Sequence, residues 1–260
     1  MRYRNRKWLE RMIKNGLSLR EIARKEGVSP RTISTWASKY GLPTNIYRKT
    51  AKHCVLSPEL IEFFDGLLLG RGTIISRFPN TAYFSLAFSQ KEYLEWISQK
   101  LKELGIEQKG QIKKMKGKKK QYPCWRYESW SYYELTEIRK RWYLKGKKRI
   151  PEDIKFTPLT GLLWYLGSGY LEIQTQKRKT PFLRIRFSLT RYSKEEVENI
   201  VKKIQEATNC KVKINYHQPL RITITPVEKF LSFIEPCPEE LKPILGKKWK
   251  IFRGFCPFLF

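Results

Sequence analysis

The chain is poor in acids. Only 24 Asp and Glu stand against 53 Lys and Arg in 260 residues, a formal net charge of +29, and a surface so short of negative charge calls for a polyanionic partner. Histidine is confined to His53 and His217, and the five cysteines (Cys54, Cys124, Cys210, Cys237 and Cys256) form no Cys-x-x-Cys pair. Such spacings argue against a zinc site and for reduced, intracellular thiols. No run of about 18 apolar residues occurs, so no bilayer-spanning helix is expected. The opening MRYRNRKWLE has no apolar stretch that would serve as a signal peptide, and the expected location is intracellular, cytoplasmic or nucleoid-associated. Nor is the chain a basic disordered tail, because 41% hydrophobic and 14% aromatic residues are enough to build a core.

Residues 5–40 carry apolar positions at helical spacing, broken at Asn15-Gly16 and at Gly27, which predicts three short helices. Ser18 and Glu21 form a capping box for the second, while Ser29 and Pro30 make an N-cap and first-turn proline for the third. Ala23 leaves room for a close crossing, Gly27 permits a positive φ in the turn, and Ile22, Val28, Ile33 and Trp36 are the expected core. SLREIARKEGVSPRTISTW resembles the helix-turn-helix family over its whole length. That resemblance implies a third helix lying in a major groove, with Arg31, Thr32, Ser34, Thr35 and Ser38 facing bases or phosphates. The polar, basic stretch that follows has no apolar period and reads as a linker.

Further along, two Gly-x-Gly segments recur 97 positions apart, at Gly70 to Gly72 and Gly167 to Gly169. Their flanks match: Ser57-Pro58 and Thr157-Pro158 each supply an N-cap and a proline, an apolar helix follows, and then a strand-like run opens at Thr73 or Tyr170. Each half reads α-β-β-α-β-β-α. KEYLEWISQKLKELG from Lys91 corresponds to SKEEVENIVKKIQEAT from Ser193, the latter with its own capping box at Ser193 and Glu196.

FFDGLLLGRG and LLWYLGSG, followed by TIISRF and YLEIQTQ, resemble the two signature helices of a single-chain LAGLIDADG homing endonuclease, and RFSLTRYSKEEVENI extends the likeness to about residues 55–250. The resemblance implies that small residues at Gly66, Gly70, Gly161 and Gly167 let the two helices pack closely between the halves, with their ends at the centre of a DNA site. In active members an acid just before the last glycine of each helix holds divalent metal against the scissile phosphates. Arg71 and Ser168 stand at those positions here. Arginine has the wrong charge and serine has none, so no catalytic residue and no cofactor are expected. An arginine there could itself hold the phosphate that a cation bridges elsewhere. Asp65 lies nearly two helical turns back, roughly 9 Å along the axis, and Glu172 lies beyond the second helix, a remote substitute.

Alternation gives the remaining candidates. In FLRIRFS, Arg184, Arg186 and Ser188 oppose Leu183, Ile185 and Phe187; in KVKINY, Lys211, Lys213 and Asn215 oppose Val212, Ile214 and Tyr216; in LRITIT, Arg221 and Thr223 oppose Ile222 and Ile224. The first half offers Thr73, Ile75 and Arg77 and the hairpin lysines Lys113, Lys114, Lys116, Lys118, Lys119 and Lys120, and the second adds Gln174 and Gln176. Arg, Lys, Asn, Gln and Thr suit base edges, and clustered lysines suit phosphates.

The expectation is an α+β fold. It comprises a small all-α helix-turn-helix domain over 1–42, a basic linker over 43–55, and pseudo-symmetric tandem αββαββα LAGLIDADG repeats over 56–150 and 151–260 forming a DNA-binding saddle. The function expected is sequence-specific binding of double-stranded DNA by a catalytically inactive monomer with a long, largely non-palindromic site, in the service of transcription regulation, with no membrane partner. Two rivals stand: an active homing endonuclease with atypical metal ligands, which would need a divalent metal, and an RNA-binding intron-splicing maturase. Against the maturase, the polar strand faces carry few aromatics to stack unpaired bases. The aromatic end CPEELKPILGKKWKIFRGFCPFLF has no assigned role beyond burial against the second half or a partner.

Overall fold

A computed structural model describes residues 2–15, 17–42, 51–115, 123–174, 182–217, 219–234 and 236–249. The expectations at Lys116, Lys118, Lys119, Lys120 and Gln176, at linker residues 43–50 and at 250–260 fall outside the described residues, as do the side chains of Arg77 and Gln174. The chain divides into two compact units, Met1–Lys52 and His53–Phe260.

In the first unit a 3-10 turn (Arg2–Arg4) precedes α1 (Arg6–Lys14), α2 (Leu19–Glu26) and α3 (Pro30–Lys39). The capping box at Ser18 and Glu21 is formed, with both reciprocal bonds present. Gly27 ends α2 at φ 65°, where a Cβ would strain the turn. Leu9, Ile13, Ile22, Ala23, Ile33 and Ala37 are buried together. Tyr3 joins them from the opening turn, packing edge-on to Trp36.

The second unit repeats one element order. Its first half runs α4 (Pro58–Leu69), β1 (Thr73–Phe78), β2 (Thr81–Phe88), α5 (Lys91–Glu103), β3 (Lys113–Lys114), β4 (Trp125–Glu128) and α6 (Leu135–Trp142). A two-stranded hairpin, β5 (Tyr143–Leu144) and β6 (Lys147–Lys148), precedes the second half: α7 (Pro158–Ser168), β7 (Tyr170–Gln174), β8 (Phe182–Ser188), α8 (Lys194–Thr208), β9 (Lys211–Asn215), β10 (Arg221–Thr225) and α9 (Val227–Phe233). The four-stranded sheets are antiparallel and share one topology, β1-β2-β4-β3 and β7-β8-β10-β9. The linker expected over 43–55 ends sooner on this side. Glu134 lies 2.7 Å from His53 Nδ1 and accepts the Cys54 amide at 3.1 Å, tying both residues to the start of α6.

Helices α4 and α7 are apolar nearly all round, since residues 63–69 and 160–167 are buried throughout, which suits helices packed between two sheets. They touch where side chains are smallest. A Cβ at Gly66 would lie 2.8 Å from Leu163 Cβ and 2.9 Å from the Thr160 carbonyl oxygen, and one at Gly70 would lie 3.9 Å from Gly167 Cα. Gly161 differs from expectation. A Cβ there would meet Phe156 and Ile234 of its own half, because the residue 97 positions after Gly66 is Leu163, which fills the space that Gly66 leaves. Across the same seam Thr157 Oγ1 donates to Glu62, and Tyr192 Oη donates to the Leu68 carbonyl at 3.5 Å. On the outer side of α4, buried Asp65 is gripped by Arg141 at 2.5 and 3.0 Å and by Trp142 Nε1 at 2.8 Å, while Arg141 also holds Asp153.

Gly66→Val should therefore lower stability by about 2–3 kcal/mol through overpacking against Leu163 and Thr160. Urea unfolding would read this as a lower midpoint at unchanged slope, and an unshifted midpoint would contradict the close approach.

Candidate nucleic-acid interface

Strand pairing fixes which side chains share a face. On the second sheet, Tyr170, Arg186, Thr223 and Lys213 form one rung, Glu172 and Arg184 a second that the register continues to Thr225 and Lys211, and Ser188, Arg221 and Asn215 a third. The intervening rungs turn Ile185, Phe187, Ile222, Ile224 and Val212 into the core. Alternation thus brings Arg184, Arg186, Ser188, Lys211, Lys213, Asn215, Arg221 and Thr223 onto one polar face. Tyr216 departs from its expected inward phase: β9 ends at Asn215, and the ring is 47% exposed with its hydroxyl donating to Glu198.

On the first sheet, Thr73, Ser85 and Glu128 share a rung, Ile75 pairs with Tyr83, and Ala87, Arg126 and Lys113 share another. Lys114 pairs with Trp125, in phase with the core residues Phe88 and Phe84, so the register puts Lys113 rather than Lys114 on the polar face. At this sheet edge both remain exposed. Arg126 and Glu128 were not singled out from the sequence, although the alternation in WRYE carries the signal.

Both Gly-x-Gly ends are closed by half-buried lysines whose amines turn inward. Lys148 Nζ donates to the Gly72 carbonyl at 2.7 Å, and Lys248 Nζ donates to the carbonyls of Tyr165, Leu166 and Gly169 at 2.6, 3.0 and 2.8 Å. The Lys248 amine thus meets the last carbonyls of α7, the negative end of that helix's dipole, whereas Gly72 lies just past the end of α4. Burial pushes Lys148 down to about 7, helped by Arg191, and pushes Lys248 down to about 8, helped by Arg71. Arg71 itself is exposed, with its guanidinium 5.9 Å from the Phe88 ring centre. Ser168 turns its hydroxyl back to the Trp164 carbonyl at 3.4 Å. The contact of Gly70 with Gly167 places these two helix ends side by side.

A divalent metal does not fit this donor set. Arg71, Lys148 and Lys248 would repel it, Glu172 is occupied by Arg184 and Arg186, and Asp65 by Arg141 and Trp142. Among the described residues no group of three His, Cys, Asp or Glu could hold a metal ion.

In the first unit, Arg31, Thr35 and Ser38 are exposed along one face of α3, and Ser34 is half-buried beside them. Thr32 serves the helix start, its hydroxyl 2.9 Å from Ser29 Oγ. No helix of the described residues is long and apolar enough to cross a membrane.

Two repeated αββαββα halves, joined through apolar helices that end in Gly-x-Gly, make this a two-repeat LAGLIDADG architecture. The sequence model described as the LAGLIDADG DNA endonuclease family matches residues 61–230, and the chain belongs to that family. An uncharacterized protein of Methanocaldococcus jannaschii, MJ1098, is 34% identical over 176 residues, 64% of this chain and 65% of its own length. The cytochrome b mRNA maturase bI2 of Debaryomyces hansenii is 27% identical over 131 residues, 44% of this chain and 47% of its own. The chain thus spans less than two thirds of the curated relatives it matches. The solved structure of the homing endonuclease I-WcaI bound to its DNA recognition sequence aligns with a TM-score of 0.61 at 20% identity, over 74% of this chain and 87% of that one, a likeness of fold.

The two half-buried lysines make stability depend on pH. Their pKa values lie below the ordinary 10.5, so on alkalinisation the folded chain sheds these protons before the unfolded chain does, and each lysine's contribution to stability rises with pH between about 7 and 10.5. Lys148→Met should remove part of that rise, read as a smaller gain in urea midpoint than wild type between about pH 7 and 9.5. Parallel pH curves would contradict it.

Proposed function

We propose that this chain is a sequence-specific double-stranded-DNA-binding protein that occupies its site without cutting it, and that it regulates transcription. The observation that carries this reading is the exposed arginine at the paired helix ends. Arg71 stands at a position where active relatives place a metal-binding carboxylate, a charge suited to holding a phosphate oxygen and unsuited to holding a metal that would activate water against it, while the nearby Lys148 and Lys248 amines are engaged by backbone carbonyls.

Around that centre, the second sheet would present Arg184, Arg186, Arg221, Thr223, Lys213 and Asn215 to a major groove, and the first would present Thr73, Arg126 and Lys113. The two faces carry different side chains. A single chain would accordingly read a long, largely non-palindromic site as a monomer. The first unit acts as a helix-turn-helix, with α3 as recognition helix and Arg31, Ser34, Thr35 and Ser38 toward the duplex. The likeness to I-WcaI, a homing endonuclease bound to DNA, supports a duplex as partner.

A second reading, an RNA-binding maturase, is favoured by the similarity to bI2.

Selection from a random duplex library, followed by binding and nuclease assays, tests the proposal. Affinity for the selected duplex should fall by about a thousandfold or more between roughly 50 and 200 mM salt, with strands intact in magnesium or manganese. Efficient double-strand cutting would overturn the inactive reading and a flat salt response the phosphate contacts. Displacement of the duplex by structured RNA would favour the maturase.

A further inference from the structure

We propose that Glu172 is a positioning residue that presets Arg184 and Arg186 to read two G·C pairs separated by one base pair. This rests on the duplex-binding reading above and assigns the chemistry of one part of that face.

Glu172 sits on β7 directly opposite Arg184 and diagonally from Arg186. One of its oxygens accepts from Arg184 Nε, and the other accepts from Arg186 Nη1 at 2.9 Å. The carboxylate is held below its usual range, chiefly by the hydrogen bond from Arg184 and further by the charges of Arg186, Arg184 and Arg221. Among the described residues Arg184 spends only its Nε, which leaves its two terminal nitrogens as an end-on fork. Its side chain is 22% exposed and that of Arg186 is 26% exposed, and both point from the polar face of β8. A fork of this shape matches the O6 and N7 acceptors of guanine.

A carboxylate is a poor choice for a face that works by charge alone. It repels phosphates, and a partly exposed ion pair adds little stability. Arg186 Nε is also buried without a partner, which costs free energy that a purely structural pair would avoid. Glu172 makes sense if the geometry of the guanidiniums matters more than their number. Holding two long, flexible side chains in place before binding removes entropy that the complex would otherwise lose.

The spacing sets the target. Arg184 and Arg186 are two residues apart on one antiparallel strand, about 6.8 Å, and base pairs stack at about 3.4 Å. With β8 lying along the groove, the two arginines fall two base-pair steps apart.

Duplex selection with wild type, Glu172→Ala and Arg184→Lys tests this. Wild type should select two G·C pairs flanking one freer position. Glu172→Ala should lower the preference at both by about tenfold, leave other positions of the site unchanged, and keep or raise affinity for random duplex, since a negative charge is gone. Arg184→Lys, which keeps the charge but loses the fork, should relax one of the two positions only. If Glu172→Ala does not fold, Glu172→Gln, with one acceptor oxygen left, should relax at least one. Retention of both preferences without the carboxylate would overturn the proposal, as would an even loss across the whole site or a wild-type site lacking such a pair. A wild type that selects no duplex at all would instead remove the reading on which it rests.

Discussion

The close approach of α4 and α7 is the constraint from which the rest of the second unit follows. Gly66 leaves out a Cβ that would overlap Leu163 and Thr160, and Gly70 lies against Gly167. Interiors are packed too tightly to absorb such an overlap cheaply, so the glycines fix the seam between the halves. Each helix feeds directly into the first strand of its own sheet, β1 or β7. The seam therefore sets where the two sheets begin and brings Arg71 and Ser168 to the same place.

Electrostatics then decide what that place can do. Two helix ends meeting side by side bring two sets of backbone carbonyls together, a concentration of negative partial charge that needs cations. Metal bound by carboxylates is one solution. This chain uses lysine: Lys148 reaches Gly72 from the hairpin between the halves, and Lys248 reaches Tyr165, Leu166 and Gly169 from beyond α9. With those carbonyls satisfied by lysine amines and the Arg71 guanidinium alongside, the paired helix ends carry an exposed positive charge in place of an acid pair. On the second sheet, one acid, Glu172, pairs with two guanidiniums.

Much of the second unit was legible because its repeat writes each signal twice. The paired N-caps at Ser57 and Thr157, the Gly-x-Gly ends and the alternation in FLRIRFS and LRITIT are local patterns, and the element order they imply is the one observed. What a three-dimensional partner decides is not legible there. Gly161 looks like Gly66 in composition, yet the counterpart of Gly66 is Leu163, and only packing separates them. Lys113 and Lys114 are equally basic, and only the pairing with Arg126 and Trp125 tells their faces apart. Lys248 lies about eighty residues from the carbonyls it caps, in a stretch that read as aromatic packing, and no spacing in the sequence connects them.

The most direct test replaces the phosphates of the selected duplex, one at a time, with neutral methylphosphonates and compares binding by wild type and Arg71→Ala. With a cationic centre, neutral linkages at the middle of the site weaken wild-type binding, and Arg71→Ala loses most of that sensitivity. Central linkages that wild type tolerates as readily as those outside its site would contradict the account.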